Sequence, residues 1–248
     1  MRIAIISDIH GNAVALDAAL ADLRRHPADR LVCLGDAIQG GPQPAAVVAR
    51  LRELGCPVVM GNADDWLLTG ESHGGEPTTE QQRTVRSWSL AQLSEADRAF
   101  IAAFAPTVEI PLPEGRRMLC FHGSPGSFDD VLLPETPEDE VRRLLGASAA
   151  SVLCGGHTHL QQLRRLSDAL SDALFVNPGS IGLAYARHQP QDAFRADPWA
   201  EYAVLSADDG RLAVEFRRVP FDLDAYLQVI CDSGIPGAAQ MADRYRRG

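Results

Sequence analysis

The sequence predicts an α/β protein with a parallel sheet, and three observations point to this class. Short apolar runs, typical of buried strands, alternate with stretches of helical periodicity in the first third of the chain. Successive strands separated by helices form parallel pairs through right-handed crossovers. Polar residues follow directly after each of these strands, as they do at the ligand-binding edge of open α/β sheets. The 248 residues, 46% of them hydrophobic, are enough for one large domain.

The amino-terminal elements follow a strict strand–helix order. We predict strands at 3–6, 31–34 and 57–60, separated by helices at 12–26 and 44–54. Leu16, Leu20 and Leu23 recur at helical spacing in the first helix, and Pro27 ends it. These five elements predict a parallel sheet with covering helices.

A helical insert is predicted at about 64–105, within a single domain spanning 1–248. A short helical piece at 65–68 is followed by a loop at 70–79 that contains glycine, proline and histidine. A helix at 79–93 comes next, and Ser94 opens a further helix with the pattern of a capping box. The chain contains no long linker and no low-complexity tract, so one domain is the simplest division.

The second half of the chain is predicted to contain more strands than helices. Strands are expected at 107–111, 116–121, 151–154, 163–166 and 174–176, with a helix ending at 145. An antiparallel hairpin of 202–205 and 212–217 follows, and the chain continues in one or two helices from Asp222.

Charge and composition disfavour several classes of function. The net charge of −10 disfavours nonspecific binding to nucleic acid or anionic membranes, which requires clustered basic residues. The negative net charge does not exclude a small anionic substrate, because bound dications can reverse the local potential. No apolar stretch approaches the roughly 20 residues of a membrane span, and we expect no signal peptide. The five cysteines form no C-x-x-C pair, which fits a cytoplasmic protein.

Five predicted strands end in side chains that bind metals. Asp8 and His10 follow the first strand two positions apart, so both side chains point to the same side of an extended segment. The other strand ends carry Asp36, Asn62, His122 and the pair His157 and His159.

Each of these side chains also has an ordinary structural interpretation. Asp36 fits a turn, Asn62 a helix cap, and His122 a hydrogen-bonded core position. Their joint placement at the ends of apolar runs favours a shared site instead. Seven oxygen and nitrogen ligands without a thiolate suit two divalent ions of Mn, Fe, Co, Ni or Zn that share one bridging carboxylate.

In their order along the chain, these blocks resemble the five motifs of the calcineurin-like metallophosphoesterase superfamily. The blocks are Asp8-Ile9-His10, Gly35-Asp36, Gly61-Asn62-Ala63-Asp64, His122 and Gly156-His157-Thr158-His159. The small size, together with His122-Gly123-Ser124 and Asn177-Pro178-Gly179-Ser180, is most similar to compact bacterial and archaeal phosphodiesterases of the YfcE type. The resemblance implies a four-layer α/β/β/α sandwich of two mixed sheets flanked by helices.

The resemblance also implies a role for each ligand. The first metal would be held by Asp8, His10 and His159, the second by Asn62, His122 and His157, and Asp36 would bridge them. A water or hydroxide bridging the metals would attack phosphorus, and Asn62 would also contact the phosphate. The implied protein is a hydrolase, a metal-dependent phosphodiesterase or phosphatase of a small phosphoester or nucleotide. Manganese is one metal that fits, and a homodimer is one assembly that relatives form.

The chain departs from the superfamily at Ala63, where many relatives have a histidine thought to stabilise the transition state or protonate the leaving group. His73 on the adjacent loop is a candidate replacement; otherwise the reaction needs a good leaving group. Asp64 and Asp65 are predicted to cap the following helix. Asn12 is a candidate substrate contact, with a helix cap as the alternative.

A second hypothesis is a metal-binding protein-interaction scaffold with the same fold and little or no catalysis, as in the retromer subunit of this fold. Ala63 favours the scaffold, whereas the complete set of seven ligands favours an enzyme. Two further activities are disfavoured. The loop at 37–41 lacks the phosphate-binding arginine of protein Ser/Thr phosphatases, and the acidic charge argues against a repair nuclease.

Overall fold

Two mixed sheets form the centre of the computed structural model, which describes residues 1–71, 78–167, 172–190 and 193–246. The first sheet has the strand order β2-β1-β8-β9, and the second has the order β3-β4-β5-β7-β6. The strands are β1 Arg2–Ile6, β2 Arg30–Cys33, β3 Val108–Pro111, β4 Arg117–Cys120, β5 Val152–Cys154, β6 Gln161–Ser167, β7 Asp172–Pro178, β8 Trp199–Asp208 and β9 Arg211–Pro220.

Parallel pairing at the centre of each sheet brings several strand ends to one edge. β1 pairs in parallel with β2, and β4, β5 and β7 form a parallel set. Antiparallel strands complete both sheets, since β8 flanks β1, β3 flanks β4, and β6 flanks β7. Because parallel strands end on the same side, the loops that follow them lie next to each other.

Three hydrophobic clusters give the molecule its four layers. Between the sheets, Ile3 and Ile5 of β1 pack in one cluster with residues of the second sheet. Ile6 lies in another cluster, with the helices that cover the first sheet. The side chains alternate in this way because successive residues of a strand point to opposite faces. On the outer face of the second sheet, Phe175 packs with Val141 of the helix Glu138–Leu145. The predicted α/β/β/α sandwich is confirmed.

The helices follow the order predicted from the sequence. They are α1 Ala13–Arg25, α2 Pro44–Leu54, α3 Asn62–Thr69, α4 Glu80–Ala91, α5 Glu95–Ala102, α6 Glu138–Leu145, α7 Leu223–Asp232 and α8 Ala238–Arg246. Ser94 forms the predicted capping box with Asp97, and Thr79 forms a second one with Gln82. In the described part of the chain, no helix combines the length and hydrophobicity that a membrane span requires.

The predicted strand at 57–60 is not a full strand. Val58 forms an isolated parallel bridge with Cys33, and Val59 forms one with Ala105. Pro57 accepts a hydrogen bond from the Cys33 N–H but has no N–H of its own, which limits the ladder. The segment nevertheless runs beside β2 and delivers Asn62 to the same edge as Asp36.

Candidate metal centre

The structure brings Asp8, His10 and His159 together at the edge of the two sheets. One ligand atom from each of these residues lies within 4.8 Å of the others. His159 Nε2 is 3.3 Å from Asp8 Oδ1 and 3.0 Å from His10 Nε2. Residues 149 positions apart in the chain are therefore close enough to share one cation.

A second group of three, Asp36, His122 and His157, also has ligand atoms within 4.8 Å of each other. Asn62 completes this group, because its Oδ1 is 3.0 Å from both His122 Nε2 and His157 Nδ1. Asp36 lies between the two groups. Its Oδ2 is 3.4 Å from His122 Nε2 and 3.8 Å from His10 Nε2.

The donor set fits bound cations. The Nδ1 atoms of His10 and His159 lie 2.8 and 2.7 Å from the carbonyl oxygens of Gln39 and Leu183, so each must carry the proton. Burial lowers the pKa of His10, whereas burial of His159 is outweighed by Asp8, which raises the pKa of His159. When both rings are neutral, their unprotonated Nε2 atoms point at each other, an arrangement that a shared cation stabilises. Asp8 Oδ1 is buried and accepts no hydrogen bond from any described residue. An orphaned carboxylate oxygen beside two free imidazole nitrogens suits a divalent transition metal.

Burial and neighbouring charges shift the pKa values of the predicted ligands in different directions. Burial lowers the pKa of His10 and His157, which keeps these imidazoles neutral. Burial alone would raise the pKa of Asp36, but His122 and the neighbouring imidazoles hold it well below its usual range. The pKa of His122 rises to about 10 because Asp36 outweighs the effect of burial. A cation that binds His122 would displace this proton.

Backbone strain is concentrated at the same residues. Seven non-glycine residues of the described chain have positive φ, and five of them are predicted ligands. These five are Asp8 (54°), His10 (46°), Asp36 (49°), His157 (67°) and His159 (57°). Left-handed backbone is costly for such residues and persists where the surrounding structure enforces it, commonly at functional sites.

Close backbone packing enforces the loop that carries Asp8 and His10. A Cβ atom on Gly182 would lie 1.8 Å from the carbonyl oxygen of Ile9. A Cβ atom on Gly41 would lie 2.0 Å from the carbonyl oxygen of His10. Only glycine permits these approaches, so two distant segments clamp the ligand loop from different sides.

Asp64 links the two loops that carry Asp36 and Asn62. Its buried carboxylate accepts the N–H groups of Ala37 and Ile38, each at 2.9 Å. In return, Asp36 Oδ1 accepts the Ala63 N–H at 2.8 Å. The prediction that Asp64 caps the following helix is therefore wrong: its carboxylate fixes the neighbouring loop instead. Burial and the nearby charge of Asp36 raise the pKa of Asp64 to about 7.

The sequence offered two other candidates, Asn12 and His73. Asn12 is fully buried; its Oδ1 accepts the Ala15 N–H, and its Nδ2 donates to the Gly182 carbonyl. Asn12 thus caps α1, which is the alternative interpretation, and the geometry gives no support to a substrate contact. His73 lies outside the described residues.

A cleft of about 960 Å³ opens directly onto the predicted ligands. His10, Asn62, Ala63 and His157 form part of its wall, and further residues come from α3, α4 and α8. Motif reasoning missed the contribution of α8, including Met241 and Arg244, because this helix follows the last motif by about sixty residues and carries no motif of its own. Ala63 lines the cleft, and its side chain offers no acid there.

The fold and the site together define a metallophosphoesterase-type α/β protein. Residues 1–208 match the model of the calcineurin-like phosphoesterase superfamily domain, and the chain belongs to that superfamily. The family predicted from the motifs is confirmed.

Similar proteins cover nearly the whole chain. An uncharacterised protein of Methanocaldococcus jannaschii, MJ0912, is 24% identical over 247 residues, with 94% of this chain and 93% of that protein aligned. The metallophosphoesterase of Sphaerobacter thermophilus is 25% identical, with a TM-score of 0.72 and 98% of both chains covered. The hypothetical protein PH1004 of Pyrococcus horikoshii OT3, 19% identical with a TM-score of 0.78 and 97% of both chains covered, shares the fold.

Proposed function

We propose that this protein is a dinuclear metal-dependent phosphoesterase that hydrolyses a small phosphodiester or nucleotide. The observation that carries the proposal is the pair of three-residue ligand groups with Asp36 between them. Membership of the calcineurin-like phosphoesterase superfamily supports the same reaction class. The oxygen and nitrogen ligands suit Mn, Fe, Co, Ni or Zn, and Mn²⁺ is the first ion to test.

Asp8, His10 and His159 would hold one cation, and Asn62, His122 and His157 would hold the other. Asp36, which lies between the two groups, would contribute to both. When bound, two cations supply a nucleophile from water near neutral pH and offset the charge that develops on the phosphoryl group.

Hydrogen bonds within the chain orient the side chains that would hold the cations. Backbone carbonyls bound to the remote ring nitrogens of His10, His122 and His159 fix the direction of each imidazole. The hydrogen bonds of Asp64 to 37–38 fix the loop after Asp36.

The leaving group is expected to be a good one. Ala63 cannot donate a proton, and the candidate His73 lies outside the described residues. A nucleotide phosphate or an aryl oxide leaves as a stable anion and needs little protonation, whereas an alkoxide needs an acid. Free cysteines at 33, 120 and 154 fit the proposed cytoplasmic location. A homodimer stays a prediction from the family resemblance.

A matched pair of variants tests the proposal. Chelator-stripped protein is reloaded with Mn²⁺ or Ni²⁺ and assayed with bis-p-nitrophenyl phosphate, p-nitrophenyl phosphate and a dinucleoside polyphosphate. We expect metal-dependent hydrolysis by the unmodified protein and near-complete loss in Asp36→Asn. Asp209→Asn is the control, because Asp209 is an exposed turn aspartate that shares the left-handed backbone of Asp36. If the metal-loaded protein hydrolyses none of these substrates, catalysis is rejected and the scaffold becomes the better hypothesis.

A further inference from the structure

Arg244 of α8 is the distinctive charged residue of the cleft. Of the described residues that line it, Arg244 alone is an arginine or lysine. Among the described residues of the wall, the other ionisable side chains apart from the predicted ligands are the carboxylates of Asp65, Glu71 and Asp129. Of the charged side chains described on this wall, the Arg244 guanidinium is therefore the one that attracts an anionic group.

The guanidinium of Arg244 is restrained by an aromatic contact and not by an ion pair with a carboxylate of the described residues. Its central carbon lies 5.6 Å from the ring centroid of Phe194, a cation–π contact that restricts the side chain. The Arg244 carbonyl also accepts the Ala196 N–H, which anchors the backbone of α8 to this segment. No carboxylate of the described residues forms an ion pair with Arg244, although the chain carries a net charge of −10.

Other arginines of the chain have guanidinium groups that form ion pairs or hydrogen bonds within the fold. Arg217 binds Asp22 and Glu215, and Arg86 donates to the carbonyls of Trp66 and Leu67. Those side chains join parts of the fold. Arg244 instead lies on the wall of the cleft and forms no side-chain hydrogen bond or ion pair with the described residues. Planar guanidinium groups match phosphate oxygens in bidentate geometry.

The cleft connects Arg244 with the predicted metal ligands. His10, Asn62 and His157 lie on the wall of the same cavity, whose volume of about 960 Å³ is at the upper end of small-ligand sites. Apolar surface for an organic linker comes from Trp66, Val131 and Met241, which line the same space. A single phosphoryl group would leave most of this space unused.

We propose that Arg244 binds a second phosphate group of the substrate while the scissile phosphoester lies at the metal ligands. This inference rests on the proposed function and narrows its substrate class. The substrate is then a nucleotide-sized phosphoester or phosphoanhydride that carries one phosphate beyond the one attacked. Arg244 is a specificity-determining residue in this assignment, and the reacting atoms lie elsewhere.

Two substrates with the same scissile bond test the assignment. The p-nitrophenyl ester of thymidine 5′-phosphate has one phosphoryl group, and its 3′-phosphorylated form has a second. Both release p-nitrophenolate when water cleaves the P–O bond. We expect Arg244→Ala to raise KM for the 3′-phosphorylated ester about 10- to 100-fold, the range for lost charge-assisted hydrogen bonds. KM for the other ester should stay within about twofold, and kcat should change little for either one.

Arg24→Ala is the matched control. Arg24 is an exposed arginine near the end of α1, outside the cleft, and its removal changes the net charge by the same amount. It should alter neither KM. Equal effects of Arg244→Ala on both esters, or no effect on either, would overturn the assignment.

A binding measurement separates this assignment from the proposed function. Calorimetry with thymidine 3′,5′-bisphosphate and thymidine 5′-monophosphate needs no turnover. We expect Arg244→Ala to weaken bisphosphate binding at least about tenfold and to leave monophosphate binding nearly unchanged. If the unmodified protein hydrolyses neither ester but shows this difference, the proposed function fails and the anion site stands. If the two ligands bind equally well to the unmodified protein, the anion site fails whatever the enzyme activity.

Discussion

Asp22 joins α1 to the β8–β9 hairpin through a buried charged contact, and its removal gives a prediction with a defined magnitude. Asp22 is 5% exposed. Its Oδ2 accepts the Tyr202 hydroxyl at 2.6 Å and the Arg217 guanidinium at 2.8 Å. Burial raises the pKa of Asp22, but these hydrogen bonds, with a further one from Arg25, lower it to about 2.

The difference between the folded and unfolded pKa sets the size of the effect. With values of about 2 in the folded chain and 3.8 in the unfolded chain, ionised Asp22 stabilises the fold by about 2 kcal/mol at pH 7. Because the folded pKa is the lower one, this contribution is complete above about pH 4. It is lost as the pH falls toward 2.

Urea denaturation of the unmodified protein and of Asp22→Asn measures this contribution. We expect a difference in unfolding free energy of about 2 kcal/mol at pH 7 and about 1 kcal/mol at pH 3. Subtracting the two proteins removes the titration of all groups that they share. Asp17→Asn is the control on the same helix, since Asp17 forms an exposed ion pair with Arg50 and its loss should change stability little.

Two results would refute the reasoning. A difference that does not change between pH 7 and pH 3 would show that the charge of Asp22 is not what stabilises the contact. A loss as large in Asp17→Asn as in Asp22→Asn would show that burial of the carboxylate adds nothing.

Three further predictions concern the site. Asp64→Asn places an amide N–H against one of the backbone N–H groups of 37–38. We expect it to weaken Mn²⁺ binding about tenfold in a chelator competition, with unchanged helix content by circular dichroism. An unaltered affinity would contradict a positioning role for Asp64. Gly182→Ala forces a Cβ against the Ile9 carbonyl and should cost about 3 kcal/mol of unfolding free energy. Gly126→Ala, where nothing lies within 4 Å, should be near neutral, and equal losses would argue against the clamp. Mn²⁺ at about 100 times its Kd should raise Tm by about 5–10 °C, reversibly with a chelator, and no rise would count against the metal centre; Asp36→Asn should reduce this shift.

Strong local signals made much of the fold predictable. Side chains alternate along β1, so Ile3 and Ile5 lie on one face of the sheet and Ile6 on the other. Because residues on both faces are apolar, this strand alone indicates a sheet that is buried on both faces. The capping box at Ser94 gave the start of α5 directly. The segment at 57–60 was harder, because an apolar run does not reveal that Pro57 interrupts the ladder.

The sequence supplied the candidate ligands of the site but not the contacts that hold them in place. Asp8, Asp36 and His122 follow apolar runs in a recognisable order, so the sequence identified them as candidates. Aspartate is common at helix amino termini, so the sequence favoured a capping role for Asp64. Only the folded chain shows that its carboxylate accepts hydrogen bonds from the loop at 37–38. Arg244 carries no local signal, because its position on the cleft depends on how α8 packs.

The sequence by itself determined the superfamily, the order of the strands that end in predicted ligands, and the departure at Ala63. These features are encoded locally, in runs of a few residues whose periodicity and polarity are readable without the fold. Only the tertiary structure decided that Asn12 caps a helix, that Asp64 joins the loops of Asp36 and Asn62, and that an arginine from the last helix lines the same cleft as predicted metal ligands. Contacts between residues more than a hundred positions apart depend on the packing of whole layers, and no local pattern in the chain records them.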